Sequence, residues 1–275
     1  MCDTLHSRFQ FIAKLGAGTY GVVYKVRDTQ KNRIVAIKKF NLENLDGDGI
    51  TSLGLREVYI SSTLRHKNIN QILGVYSTTN ELSTVMEYCD GSLRQLIGNP
   101  RFVNIRIIRY LFKQILTALL YCHEHRVFHR DLKPENIFVL KDLTVKLGDF
   151  GMARMMGDSC FRGYTAECIC DAYAPPEMLG IYDNETTLYK PNYSEKVDIW
   201  AVGVMFSEMM GSTVNIQKLR MFPHKFQLIE VFPLLINEED FSMATGMLQM
   251  DPRQRSSAKR VLQSNFFLQE EACPL

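Results

Sequence analysis

The stretch FHRDLKPENI, residues 128–137, sets two acids, two fixed cations, a histidine and an asparagine in ten residues that cannot form a helix. Pro134 breaks helical continuity, so Asp131, Lys133 and Asn136 sit together on one tight loop. An aspartate there can accept a proton from a hydroxyl. A lysine can neutralise a migrating phosphoryl group, and an asparagine oxygen can ligate Mg²⁺. At about 5% per residue type, His-Arg-Asp followed five residues later by Asn arises by chance in roughly a few chains per thousand. The spacing therefore points to phosphoryl transfer rather than to a charged surface turn.

Upstream, IIRYLFKQILTALLYC places Ile108, Leu111, Phe112, Ile115, Ala118, Leu119 and Cys122 at helical spacing, a core stripe leading into the loop. Downstream, KLGDFG ends a strand with Asp149, a second metal ligand backed by Gly151, and APPE brings Glu177. KVDIWAVGVMFSEMM is apolar on nearly all sides and is expected to be a buried helix. An unpaired carboxylate inside it would be costly, so Asp198 must accept hydrogen bonds, with the 129–131 backbone as the natural donor.

The N-terminal third reads differently. GVVYKVRD, RIVAIKKF and LSTVMEY alternate as strands of an antiparallel sheet from Phe9 to Val85, interrupted by one helical candidate over about 52–64. LGAGTYGVVYK places Gly16, Gly18 and Gly21 where a turning backbone could bring N–H groups against phosphate oxygens. A dinucleotide fold would need the last glycine to open a helix, whereas VVYKV continues as a strand. Lys38, on an apolar strand, needs a counter-charge, and Glu57 in the helix can supply one. DGDGITSLGLRE ends on that glutamate with calcium-loop length, but Ile50 and Thr51 stand at the wrong places for calcium. A β-rich lobe followed by a helical lobe makes a cleft, with EYCDGS at 87–92 as its connector.

The totals fit this picture. The chain has 275 residues, 46% of them hydrophobic, enough for one large domain or two lobes. Lys plus Arg is 32 against 30 for Asp plus Glu, so neither nucleic acid nor an anionic membrane is drawn by bulk charge. The start lacks a secretory signal and the longest apolar run, at 200–206, is too short to span a bilayer, so an intracellular location, cytoplasmic or nuclear, is expected. Seven scattered cysteines suit reduced thiols, Cys168 and Cys170 among them.

With these motifs in order, the chain resembles the eukaryotic protein kinases over nearly its whole length, and that resemblance implies the roles of its residues. The resemblance implies an α+β, bilobal fold: a small antiparallel sheet with one helix over about 1–86, a hinge over about 87–92 and a mainly helical lobe over about 93–275. It implies ATP and Mg²⁺ as cofactors and protein substrates as partners. Lys133 in DLKPEN is the form typical of serine/threonine kinases, and Arg255 matches the arginine that pairs with Glu177. Lys38 and Glu57 would orient the nucleotide phosphates, Asp131 would act as base, and Asn136 and Asp149 would hold the metal. Leu15 and the three glycines would cover the nucleotide. Val23, Ala36 and Phe138 would sandwich the base behind Met86, with backbone groups of Glu87 and Cys89 offered to it.

Within that family the chain looks most like the cyclin-dependent kinases. GAGTYG carries their Thr19–Tyr20 pair, whose phosphorylation would inhibit, and GYTAEC places Thr165 at their activating phosphothreonine. Arg56, Arg130 and Arg154 would hold that phosphate. Departures exist. Leu53 and Gly54 alter the segment that would meet a cyclin-like activator, Cys170 replaces a threonine, and Ala174 replaces the arginine behind proline-directed recognition. The segment 181–192 is expected to be a surface loop. A catalytically weak scaffold is the alternative reading, although neither the metal ligands nor the base are lost; a small-molecule kinase of the same fold is the third.

Overall fold

The computed structural model describes residues 7–18, 21–40, 52–78, 81–156, 172–178, 194–212 and 228–268. Five strands, β1 (Phe9–Gly18), β2 (Gly21–Asp28), β3 (Arg33–Phe40), β4 (Ile72–Ser77) and β5 (Leu82–Glu87), form an antiparallel sheet in the order β1-β2-β3-β5-β4. Side chains alternate across a strand. Val35, Ile37 and Val85 accordingly share one face and join Phe9 and Val26 in a small core. Ala36 and Lys38, between them in sequence, are on the other face, where Ala36 pairs with Met86 and Lys38 with Thr84. The edge strand β4 shows the contrast, with Leu73, Val75 and Ser77 exposed between half-buried neighbours. Two register shifts in β1, at Phe11/Ala13 and Lys14/Gly16, bend it just before its glycines.

One helix, α1 (Ser52–Thr63), interrupts the strands as expected. Glu57, Ile60 and Ser61 are buried on it and Leu64 follows, a spacing of three, four and seven residues that turns one stripe inward. Glu57 is thus carried inside by its apolar neighbours.

The remainder is mainly helical. After β6 (Gly91–Ser92) and the short α2 (Leu93–Leu96) comes α3 (Ile105–Glu124), begun by Asn104, whose side chain accepts from Arg106 N. Every residue of its expected stripe is buried, together with Leu116. It leads to β7 (Val127–Phe128), the loop, then β8 (Ile137–Val139), β9 (Val145–Leu147) and β10 (Arg154–Met155). The helix α4 (Lys196–Met209) is buried along almost its entire length, as its composition requires, and its Phe206 ring stacks on Phe112 of α3 at 4.4 Å. Shorter helices α5 (Leu228–Val231), α6 (Glu238–Met247) and α7 (Ala258–Leu262) follow. A Cβ on Gly203 would lie 2.9 Å from Met247 Cβ, so only glycine lets α6 approach α4 this closely.

The two parts are joined at the back of the cleft by backbone. Asn70 N donates to Leu147 O and Leu147 N donates to Asn68 O, both at 2.8 Å. This ties the strand that precedes Asp149 to the segment between α1 and β4. No described helix is long and apolar enough to cross a membrane. The segment 181–192, Cys168 and Cys170 lie outside the described residues, as do Ile50 and Thr51.

Candidate active site

The sheet brings Lys38 into the cleft and α1 supplies its partner. Lys38 Nζ lies 2.6 Å from Glu57 Oε1 and 3.2 Å from Asp149 Oδ1. Burial pulls the ammonium pKa down, but the charges of Glu57 and Asp149 outweigh it and the value is raised. For Asp149 burial acts upward, and Lys38 overcomes it to hold the carboxyl below its ordinary range. Burial dominates at Glu57, whose pKa is raised against the pull of Lys38. The lysine therefore stays charged in an apolar strand, which is what a phosphate-facing cation needs.

The catalytic-type loop hangs from Asp198. This carboxylate is 1% exposed on α4, and it accepts from His129 N at 2.9 Å and Arg130 N at 2.8 Å, the donors expected from the sequence. A third contact, His123 Nε2 at 2.9 Å, was not foreseen, because nothing in its sequence neighbourhood sets that histidine apart from a satisfied helix residue. Burial would raise the Asp198 pKa, yet these partners lower it. So held, Arg130 adopts φ 69°, left-handed backbone that non-glycine residues rarely take and that a well-determined surround must maintain.

Within the loop, Lys133 Nζ contacts both Asp131 oxygens, at 3.0 and 2.7 Å. Asn136 Nδ2 donates to Asp131 O at 2.8 Å and to Asp131 Oδ2 at 3.0 Å. The amide NH₂ being so engaged, Asn136 Oδ1 is the group left for a cation. Gly148 N donates to Asn136 O at 3.0 Å, which fixes Asn136 beside the Gly148–Asp149 pair. Asp149 itself is left-handed, φ 54°, while Phe150 behind it is 2% exposed in the main core and its ring lies 4.9 Å from that of His129. Among the described residues no three His, Cys, Asp or Glu side chains cluster as a metal cage. One carboxylate and one amide oxygen instead fit Mg²⁺, which takes few protein ligands and keeps its remaining positions for water and phosphate.

The glycines divide by role. Gly16 and Gly18 lie within β1, and a Cβ on either would meet nothing within 4 Å, so the space beside both is open. Gly21 begins β2 at φ 153°, and a Cβ there would lie 2.1 Å from Lys39 O. The third glycine is needed for sheet packing. Leu15 is exposed, Ala36 buried, and Val23, Met86 and Phe138 half-buried. A Cβ on Gly148 would lie 2.3 Å from the Phe138 ring, so that glycine lets the ring sit at the cleft floor. The sequence expects backbone groups of Glu87 to be offered to a base; its N–H donates to Gln71 O at 3.1 Å, so the carbonyl is the group for that role. Burial, with Glu87 nearby, pushes the Cys89 thiol up to about 12.

Further from the cleft, Arg255 donates to both oxygens of Glu177 at 2.7 and 2.9 Å, the pairing expected. Arg130 Nη1 reaches Met152 O at 3.5 Å, and Arg154 Nη1 donates to Ala153 O at 2.8 Å, so these two occupy one neighbourhood while Arg56 is half-buried on α1. Thr165, Thr19 and Tyr20 lie outside the described residues. Sequence reasoning missed a network beside the loop. Arg94 Nε donates to Glu135 Oε1 at 2.7 Å, Arg94 also contacts Tyr173 OH, and Tyr173 OH donates to Glu208 Oε2 at 3.0 Å. A glutamate near the end of an otherwise apolar helix was its one legible sign.

The family model described as protein kinase domain matches residues 9–267. The chain belongs to the protein kinase family. Its fold, a sheet-bearing lobe and a mainly helical lobe, is that of the family. Within the family it is cyclin-dependent-kinase-like. It is 33% identical over 302 aligned positions to a protein named cyclin-dependent kinase 1 from Encephalitozoon cuniculi (strain GB-M1), covering 97% of this chain and 98% of that one. It is 39% identical over 204 positions to cyclin-dependent kinase-like 1 from Caenorhabditis elegans, covering 74% of this chain and 55% of the relative.

Proposed function

We propose that this kinase transfers the γ-phosphoryl group of ATP, as its Mg²⁺ complex, to serine or threonine hydroxyls of protein substrates. The observation that carries the reading is the joint assembly of Lys38–Glu57–Asp149 and Asp131–Lys133–Asn136, bridged by the Gly148–Asn136 hydrogen bond. Asp131 would accept the proton of the acceptor hydroxyl. Lys133, already on that carboxylate, would turn its charge toward the transferring group, and Lys38 would bind phosphate oxygens while Glu57 keeps it in place. Asn136 Oδ1 and Asp149 would hold Mg²⁺, which supplies charge neutralisation at the phosphates. The backbone at Gly16 and Gly18 would cover them. Val23, Ala36 and Phe138 would enclose the base beside Met86, the Glu87 carbonyl and the Cys89 backbone. Residues 1–86, 87–92 and 93–275, approximately, would act as one catalytic unit.

Regulation follows the same reading. Leu55 and Tyr59, one turn apart on α1, are 51% and 59% exposed, an apolar outward face on the helix that carries Glu57, and this supports docking of a cyclin-like partner. Phosphate on Thr165 would gather Arg56, Arg130 and Arg154 around one anion, whereas phosphate on Thr19 or Tyr20 would repel the nucleotide. Action inside the cell, in cytoplasm or nucleus, accords with such control. The test is Asp149→Asn assayed on a protein substrate. Turnover should fall by about 10³-fold with the fold retained; near-normal phosphorylation by the variant would overturn the role given to Asp149, and a wild type without turnover would return the scaffold reading.

A further inference from the structure

The side chains of residues 87–90 are tied to both walls of the cleft. Lys146 Nζ lies 2.6 Å from Glu87 Oε2, the lysine 12% and the glutamate 34% exposed. The same Oε2 accepts from Gln71 N at 3.3 Å, while Glu87 N donates back to Gln71 O at 3.1 Å. Glu87 is therefore held to the segment that leads into β4 and, by an ion pair, to β9, the strand that precedes Asp149. Neighbouring residues add two further ties. Lys25 Nζ on β2 contacts Tyr88 OH at 3.0 Å, and Lys141 N donates to Asp90 Oδ2 at 3.1 Å.

Lys146 stands where the ion pair matters most. It pairs in register with Phe138 on the cleft floor and precedes Asp149 by three residues. Glu87 ends β5 on the upper wall and pairs in register with Val35, so its side chain leaves the sheet on the face opposite Ala36 and Lys38 and reaches Lys146 from behind the cleft. A charge-assisted contact of this length between half-buried groups resists the small rotation by which the upper wall would lift from the floor.

We propose that Lys146 is a positioning residue, whose ion pair with Glu87 latches the hinge to the floor of the nucleotide cleft and so sets nucleotide affinity. The inference rests on the ATP reading above. It concerns grip on the nucleotide, not the chemical step, and the acceptor side is left alone. Lys146→Met removes the charge and keeps the stem; Lys146→Arg keeps a cation in reach.

The experiment measures the Kd of Mg-ADP by displacement of a fluorescent nucleotide, with the KM of ATP and of an acceptor peptide alongside. Lys146→Met should weaken Mg-ADP and raise the ATP KM about fivefold, with the peptide KM within twofold of wild type and Lys146→Arg close to wild type. Glu87→Gln should give a similar loss, and the double variant should lose no more than either single one, because both remove one contact. Unchanged Mg-ADP affinity in Lys146→Met overturns the latch, as do losses that multiply in the double variant or a peptide KM that rises in step with the ATP KM. The binding arm needs no turnover. A chain that binds Mg-ADP with the expected Lys146 dependence but modifies no substrate would keep the latch and remove the phosphotransfer reading; a wild type that binds no nucleotide would end both.

Discussion

Arg255→Met should be the most destabilising single substitution of a charged residue remote from the cleft. Arg255 is 1% exposed, and its guanidinium meets Glu177 at both ends, at 2.7 and 2.9 Å. It also donates to Lys196 O at 2.8 Å, Gln249 O at 3.0 Å and Met250 O at 3.3 Å, with its carbon 5.1 Å from the Trp200 ring centre. Removing one partner of a buried pair costs about 3–5 kcal/mol, because the other charge is left behind. Three carbonyls also lose a donor, at about 1 kcal/mol each where water does not replace it. A net loss of about 4–6 kcal/mol is expected, much of the roughly 5–15 kcal/mol that holds a domain folded. Urea unfolding followed by far-ultraviolet circular dichroism measures it. Adding Glu177→Gln should recover part of the loss by removing the stranded charge, but not the carbonyl share. A loss below about 1 kcal/mol, or no recovery in the double variant, would refute the argument that the pair anchors this lobe.

Three other outcomes are expected. Gly21→Ala should destabilise the protein by about 2–4 kcal/mol through its collision with Lys39 O, whereas Gly18→Ala should leave the melting midpoint unchanged and weaken nucleotide binding. Asp28, bonded to Arg8 at 2.9 and 2.7 Å, has its pKa lowered to about 2. A depressed carboxyl contributes stability that is present above the unfolded value of about 3.9 and lost as pH falls through about 2, so Arg8→Ala should flatten the acid limb of a stability–pH curve between those values. Thr165→Ala should lower turnover about tenfold or more with little change in ATP affinity, and phosphorylated and unphosphorylated wild type, assayed with the same partner, should differ likewise.

The loop at 129–136 was legible in the sequence because its chemistry is compressed into eight positions, and a proline forbids the alternative of a helix. The burial of α3 and α4 was legible for a different reason, since periodic or all-round apolarity leaves few other places for a helix to go. Even the Asp198 bonds followed, because a carboxylate inside an apolar helix has to find donors. What the chain alone left open were matters of partner choice between distant segments. Residue identity states that Lys38 needs an anion, but only the sheet register and the turn of α1 decide that Glu57 and Asp149 both reach it. Gly16, Gly18 and Gly21 form one sequence pattern, yet their roles part according to what stands opposite each, open space for two and the Lys39 carbonyl for the third. Apart from Glu208, set near the end of an apolar helix, this network of Arg94, Glu135 and Tyr173, like the pair Glu87 and Lys146, carries no local pattern. Side-chain ion pairs depend on distances of a few ångströms between elements separated by scores of residues, and those distances are set only when the two lobes have packed.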